Sequence, residues 1–139
     1  WSFSVNMKRC VGNFVVGHEL GHNFGSHHDI YSATNQNRYY TYGYGHHIER
    51  GSYSTGARTI LAYSRAGYNA RVNFYSNPSV LLPLTGTPTG VTGVSNTAAV
   101  ITQNRFTMAA HGDESAACGI TVEGRIIPFK SMLLTKTHF

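Results

Sequence analysis

Hydrophobic positions follow a helical period twice along this chain and lose any clear period elsewhere. Phe14, Val15, Val16, Leu20 and Phe24 fall on recurring three- and four-residue steps. They predict a helix from Asn13 to Phe24 that is buried on several sides, with Asn13 as its N-cap. A second helix is predicted from a cap at Ser95 or Asn96 to about Ala110, with Ala99, Val100, Phe106 and Ala110 turned toward the core. Between the two the pattern is irregular. Trp1 to Val5 reads as a short strand and Ser26 to Arg38 as a loop. Tyr39 to Tyr44 is an extended aromatic segment that either lines a cleft or packs as an irregular wall. Arg58 to Tyr63 reads as a short strand and turn. Ser76 to Gly93 is punctuated by Pro78, Pro83, Pro88, Gly86, Gly90 and Gly93, so it reads as loop. Past His111 the pattern fades, and Thr121 to Phe139 reads as a linker or tail. The expected organisation is one domain over 1–112 and an extension over 113–139, with an α+β fold class.

Composition narrows the classes without choosing among them. A length of 139 residues supports a single core. No apolar run reaches the roughly 18 residues a membrane-spanning helix needs, so no span is expected. The net charge is +5, which could suit an anionic partner. The eleven Lys and Arg residues are scattered, however, and no nucleic-acid motif occurs, so nucleic acid is excluded as a partner.

The chemistry concentrates in His18-Glu19-Leu20-Gly21-His22-Asn23-Phe24-Gly25-Ser26-His27-His28-Asp29. Residues four apart on a helix share a face, about 6 Å apart along the axis, so His18 and His22 can bind one metal ion. Glu19 sits beside that pair, placed to reach a water at the metal without being a ligand. A straight helix would carry His28 about 15 Å away. The chain must therefore turn back, and Gly25 suits the turn because glycine takes positive φ at little cost. Three imidazoles with a fourth position open are the pattern of a catalytic Zn2+ rather than a structural one. His27 is out of phase and receives no role. The adjacent pair His46 and His47 reads as an exposed loop, since neighbours in an extended chain point apart.

At these residues the chain resembles the metzincin zinc metalloendopeptidases, and Asp29 directly after the third histidine makes it most similar to the adamalysin (reprolysin) branch. Arg58 to Tyr63 resembles that family's Met-turn beneath the zinc, with Leu61 where a methionine is usual. Leu and Met have similar volumes, so the floor under the metal is expected to survive. Tyr63 matches a position where some metzincins carry a tyrosine near the metal, to bind it weakly or to stabilise an oxyanion, and packing within the turn is the alternative. Phe74 to Pro78 resembles a segment that follows the turn in bacterial reprolysin-like proteins. The resemblance implies His18, His22 and His28 as zinc ligands and Glu19 as general base. It also implies protein or peptide substrates and an extracellular or secreted setting.

Only seventeen residues precede His18. The expectation is therefore a zincin-like (metzincin) catalytic domain, lower half only, within a longer protein. In related proteins the cysteine before the zinc helix often pairs with one near the Met-turn. Ser64 stands about there, which leaves Cys10 free or bonded to Cys118. The leading functional reading is a zinc-dependent endopeptidase. A catalytically incomplete module that binds zinc or is vestigial, and zinc hydrolysis of something other than a peptide, are the competitors.

Overall fold

The computed structural model describes residues 12–33, 39–49, 56–83 and 85–110, together with the backbone of 119–122 and 125–128. The expectations for Trp1 to Val5, for Cys10 and Cys118, and for 34–38 lie outside the described residues. Among the described residues the fold is α+β, with two helices and three small sheets. Helix α1 (Val15–Asn23) leads into strand β1 (His27–Asp29). Strands β2 (Tyr44–Gly45), β3 (His47–Ile48), β4 (Ala57–Arg58) and β5 (Ala70–Arg71) follow, then helix α2 (Thr97–Ala110) and strands β6 (Gly119–Val122) and β7 (Arg125–Pro128). Strand β1 pairs parallel with β2, β3–β4–β5 form a mixed sheet, and β6 pairs antiparallel with β7. The tail region thus holds a two-stranded ribbon where the sequence suggested only a linker. No helix of the described residues is long and apolar enough to cross a membrane.

Helix α1 departs from expectation at its start. Asn13 is not its N-cap. Asn13 and Phe14 both take left-handed backbone conformations (φ 56° and 60°), and Phe14 occupies the cap position without a side-chain hydrogen bond. Nor is the helix buried by its apolar residues. Phe14, Val16 and Leu20 are exposed, while His18 and Gly21 are the residues it buries. The inward face is the one that carries the histidines.

At its end α1 behaves as the sequence predicts. Gly25 adopts φ 91°. The Gly25 N–H donates to His22 O and the Ser26 N–H to Gly21 O, at 2.8 and 3.0 Å. This is the Schellman arrangement, which satisfies two carbonyls of the last turn and reverses the chain. His27–Asp29 is accordingly short strand rather than loop.

The core gathers Tyr44, Ile48, Ile60, Leu61, Ala62 and Val100. Gly45 lies against the Leu61–Ala62 peptide so closely that a Cβ there would sit 2.5 Å from Ala62 N. Only glycine lets β2 pass the turn at that distance. The Tyr39–Tyr44 segment packs on α2. The Tyr40 hydroxyl donates to Asn104 Oδ1, the Tyr42 hydroxyl donates to Gln103 Oε1, and the Asn96 N–H donates to Tyr42 O.

Helix α2 is capped by Asn96, whose Oδ1 accepts the Ala99 N–H. It meets the body through Thr97, Val100 and half-buried Asn104. Phe106 is 68 % exposed, and Ala110 is also exposed. The predicted inward face was rotated because polar Asn104, not Phe106, faces the protein and donates to Phe24 O at the end of α1.

Candidate active site

The structure brings His18, His22 and His28 together. Their Nε2 atoms lie 3.1 Å (His18–His22), 3.1 Å (His18–His28) and 2.9 Å (His22–His28) apart. Helix α1 supplies the first two and β1 the third, after the turn at Gly25. Nδ1 of His18 donates to Ile60 O and Nδ1 of His22 to Ser26 O, each at 2.9 Å. A ring whose Nδ1 hydrogen is spent on a carbonyl presents a bare lone pair at Nε2. The short His18–His22 contact is therefore not a hydrogen bond between neutral rings, because neither has a proton at Nε2 to place between them. Two or three lone pairs facing one another repel, and a shared cation resolves the repulsion. The cluster is near enough to hold one metal ion, and three imidazoles suit zinc, copper, iron or nickel.

The surroundings favour the neutral form of His18 and of His28. The pKa of His28 is pushed down to about 4, first by burial and then by the neighbouring His22 and His18. That of His18 is also lowered. Burial leads, the Ile60 carbonyl opposes it, His22 and Arg71 reinforce it, and Glu19 opposes it. Glu19 is half-buried on α1, close enough for its charge to act on His18.

Beneath the histidines runs the turn after β4. Leu61 is fully buried, and its side chain fills the space where a Cβ on Gly21 would fall, 2.9 Å from its Cδ1. Leu61 thus supports α1 on the side of the helix between His18 and His22. Tyr63, 46 % exposed, lays its ring against that of His28 with centroids 3.9 Å apart.

Asp29, 1 % exposed, joins β1 to this turn. Its Oδ2 accepts the Tyr63 N–H at 3.0 Å, and its Oδ1 accepts the N–H groups of Tyr31 and Ser32. Burial alone would raise its pKa. The bonds from Tyr63 and Ser32 and the nearby His47 outweigh burial and hold the carboxyl below its usual value.

His47 was missed by sequence reasoning, and the reading of His46 and His47 as exposed loop is overturned. His47 is buried on β3. Its Nε2 donates to Tyr63 O at 2.9 Å, and its Nδ1 stands 4.0 Å from Asp29 Oδ1. His46 is half-buried, its Nδ1 within 3.1 Å of Ser95 Oγ. Asp29 and His47 therefore hold the Tyr63 peptide from both sides. No spacing rule marks such residues, because β3 is brought to β1 by the chain between them.

Segment 70–75 runs along the first half of α1. Arg71 Nη1 donates to Asn13 O at 2.9 Å and the Tyr75 hydroxyl to Gly17 O at 2.6 Å. Arg71 is half-buried and its charge acts on His18.

A protein-family profile described as Metallo-peptidase family M12 matches residues 3–76. Among curated proteins, a peptidyl-Asp metalloendopeptidase of Stenotrophomonas maltophilia (strain K279a) is 32 % identical over 101 residues, covering 73 % of this chain and 23 % of that protein. The protein of the same name from strain R551-3 is 33 % identical over the same shares. One from Pseudomonas fragi is 35 % identical over 71 residues, covering 51 % of this chain and 46 % of its own. The chain thus spans about a quarter of the length of the Stenotrophomonas relatives. No solved structure matches it significantly.

Proposed function

This chain belongs to metallo-peptidase family M12, and from that premise we propose that it carries the hydrolytic site of a zinc-dependent endopeptidase. The observation that carries the reading is the convergence of three imidazole nitrogens, two of them pinned by carbonyls at the opposite ring nitrogen. His18, His22 and His28 are the zinc ligands in this reading. When bound, zinc acidifies a water and polarises the scissile carbonyl. Glu19 takes the proton of the attacking water and hands it to the leaving amine. Asp29 and His47 fix the Tyr63 peptide, and the Tyr63 ring in turn holds the plane of His28. Leu61 serves as the floor that a methionine supplies in related turns.

The substrates are proteins or peptides. The specificity in the relatives' name, peptidyl-Asp, extends to this chain as hydrolysis of the amide that joins a peptidyl group to aspartate. The reading also includes a catalytic unit over 1–112, an extension over 113–139 and a secreted setting.

The test is made on the zinc-loaded protein carrying this chain. Glu19→Gln is expected to lower kcat by about 10²- to 10⁴-fold while zinc stoichiometry is unchanged. Failure of the wild-type protein to cleave any protein substrate, or full activity in Glu19→Gln, would overturn the assignment.

A further inference from the structure

Among the described residues, two arginines beside the histidine cluster face no carboxylate counter-charge. Arg58 and Arg71 are direct partners in the β4–β5 register. Arg58 is buried, with Nη1 donating to Ala62 O and Nε without an acceptor. Arg71 uses one Nη1 hydrogen on Asn13 O, and its Nε is also buried without an acceptor among the described residues. A guanidinium offers five N–H donors, and among the described residues Arg71 places one of them, on Asn13 O. Of the six acidic residues in the chain, three are described, and all three are engaged elsewhere. Glu19 lies beside His18, Asp29 accepts three N–H groups, and Glu49 accepts the Tyr68 hydroxyl. No described carboxylate forms an ion pair with either arginine. Charges taken from water without a partner are costly, and a ligand carboxylate would supply the counter-charge that no described residue provides.

The position suits a substrate side chain. The Arg71 guanidinium is tied to the carbonyl of Asn13, two residues before α1 and five before His18. Arg71 also stands close enough to His18 for its charge to act on that ring, which places it at the edge of the cluster where a substrate residue next to the scissile bond would lie. It stands along the first half of α1, on the side where segment 70–75 forms the wall. Arg65 is the competing cation, but it is exposed and lies over the Tyr31 ring at 4.4 Å, where water screens it.

We propose that Arg71, with Arg58 behind it, is the specificity-determining group that reads an aspartate side chain on the leaving-amine side of the scissile bond. The inference rests on the endopeptidase reading above and deepens it, since it names the residue that selects the acidic substrate. Guanidinium–carboxylate pairing is stronger and more directional than a neutral contact, so aspartate gains over isosteric asparagine.

The experiment compares peptides that differ only by Asp or Asn at that position, using zinc-loaded protein carrying this chain. In Arg71→Gln the ratio of kcat/KM for Asp over Asn is expected to fall at least about tenfold, with cleavage of the Asn peptide retained. Arg71→Lys keeps the charge without the planar fork and is expected to give an intermediate ratio. Arg65→Gln should leave the ratio unchanged. Binding without turnover is measured in a Glu19→Gln background, where adding Arg71→Gln should weaken the Asp peptide and spare the Asn peptide. If Arg71→Gln fails to hold zinc, the Lys variant decides alone, and an unchanged ratio there overturns the proposal. An Asp preference that survives in zinc-bound Arg71→Gln overturns the role of Arg71 and leaves the endopeptidase reading standing. Absence of any peptide cleavage by wild type overturns both.

Discussion

The two helices of this protein are held in place by opposite means. Helix α2 starts from a side-chain cap at Asn96 and buries Thr97 and Val100. Helix α1 has nine residues, begins on two left-handed residues without a cap, and leaves Phe14, Val16 and Leu20 exposed. So short a helix is marginal by itself. What fixes it is mainly polar, with His18 bonded to Ile60 O, His22 to Ser26 O and the Tyr75 hydroxyl to Gly17 O, beside one apolar contact, Leu61 pressed under Gly21. In α2 stability and candidate chemistry are separate. In α1 the groups placed to bind a metal are also those that dock the helix, so metal binding and helix stability should be coupled.

The sharpest way to break that contrast is His28→Ala. Loss of a ligand should weaken zinc affinity by more than the 10- to 100-fold typical of changes behind the ligands, read by competition with a chelator. Because bound metal stabilises the folded state by mass action, amide exchange in α1 should accelerate with it while α2 changes little. Equal acceleration in both helices would mean that they do not differ in this way.

Next in size is Ser76→Ala. The Ser76 hydroxyl donates to Tyr44 O and accepts the Thr97 N–H in a buried setting. Its removal leaves buried groups unpaired and should cost about 1–3 kcal/mol in denaturant unfolding, with zinc affinity unchanged. A smaller loss, about 1 kcal/mol, is expected for Asn96→Ala from the lost cap, again without effect on the metal. The smallest effect belongs to Leu61→Met. A near-isosteric exchange at a fully buried position should change stability by less than about 1.5 kcal/mol. A large change in zinc affinity there would show that the floor does more than fill space.

Much of the candidate site was legible because it is local. His18, Glu19, His22, Gly25 and His28 fall within eleven residues, and helix periodicity plus a glycine reversal suffices to draw the imidazoles together. The start of α1 was not legible. Asn13 has the right chemistry for a cap, but tertiary contacts, among them the bond from Arg71 to the Asn13 carbonyl, accompany a left-handed backbone there. The inward face of α2 was misjudged for a similar reason. Hydrophobicity favoured Phe106, while the end of α1 presents the Phe24 carbonyl, for which Asn104 is the better partner.

The sequence by itself determined which atoms could meet across one helical turn and one reversal, since backbone geometry fixes those distances. Tertiary structure alone decided which carbonyl orients His18, that Asp29 and His47 hold the Tyr63 backbone at its N–H and its carbonyl, and that Arg71 stands beside α1 without a described acid. Those contacts join segments 16 to 58 residues apart in sequence. Over such separations the partners follow from how the whole chain packs, and no short-range pattern records them.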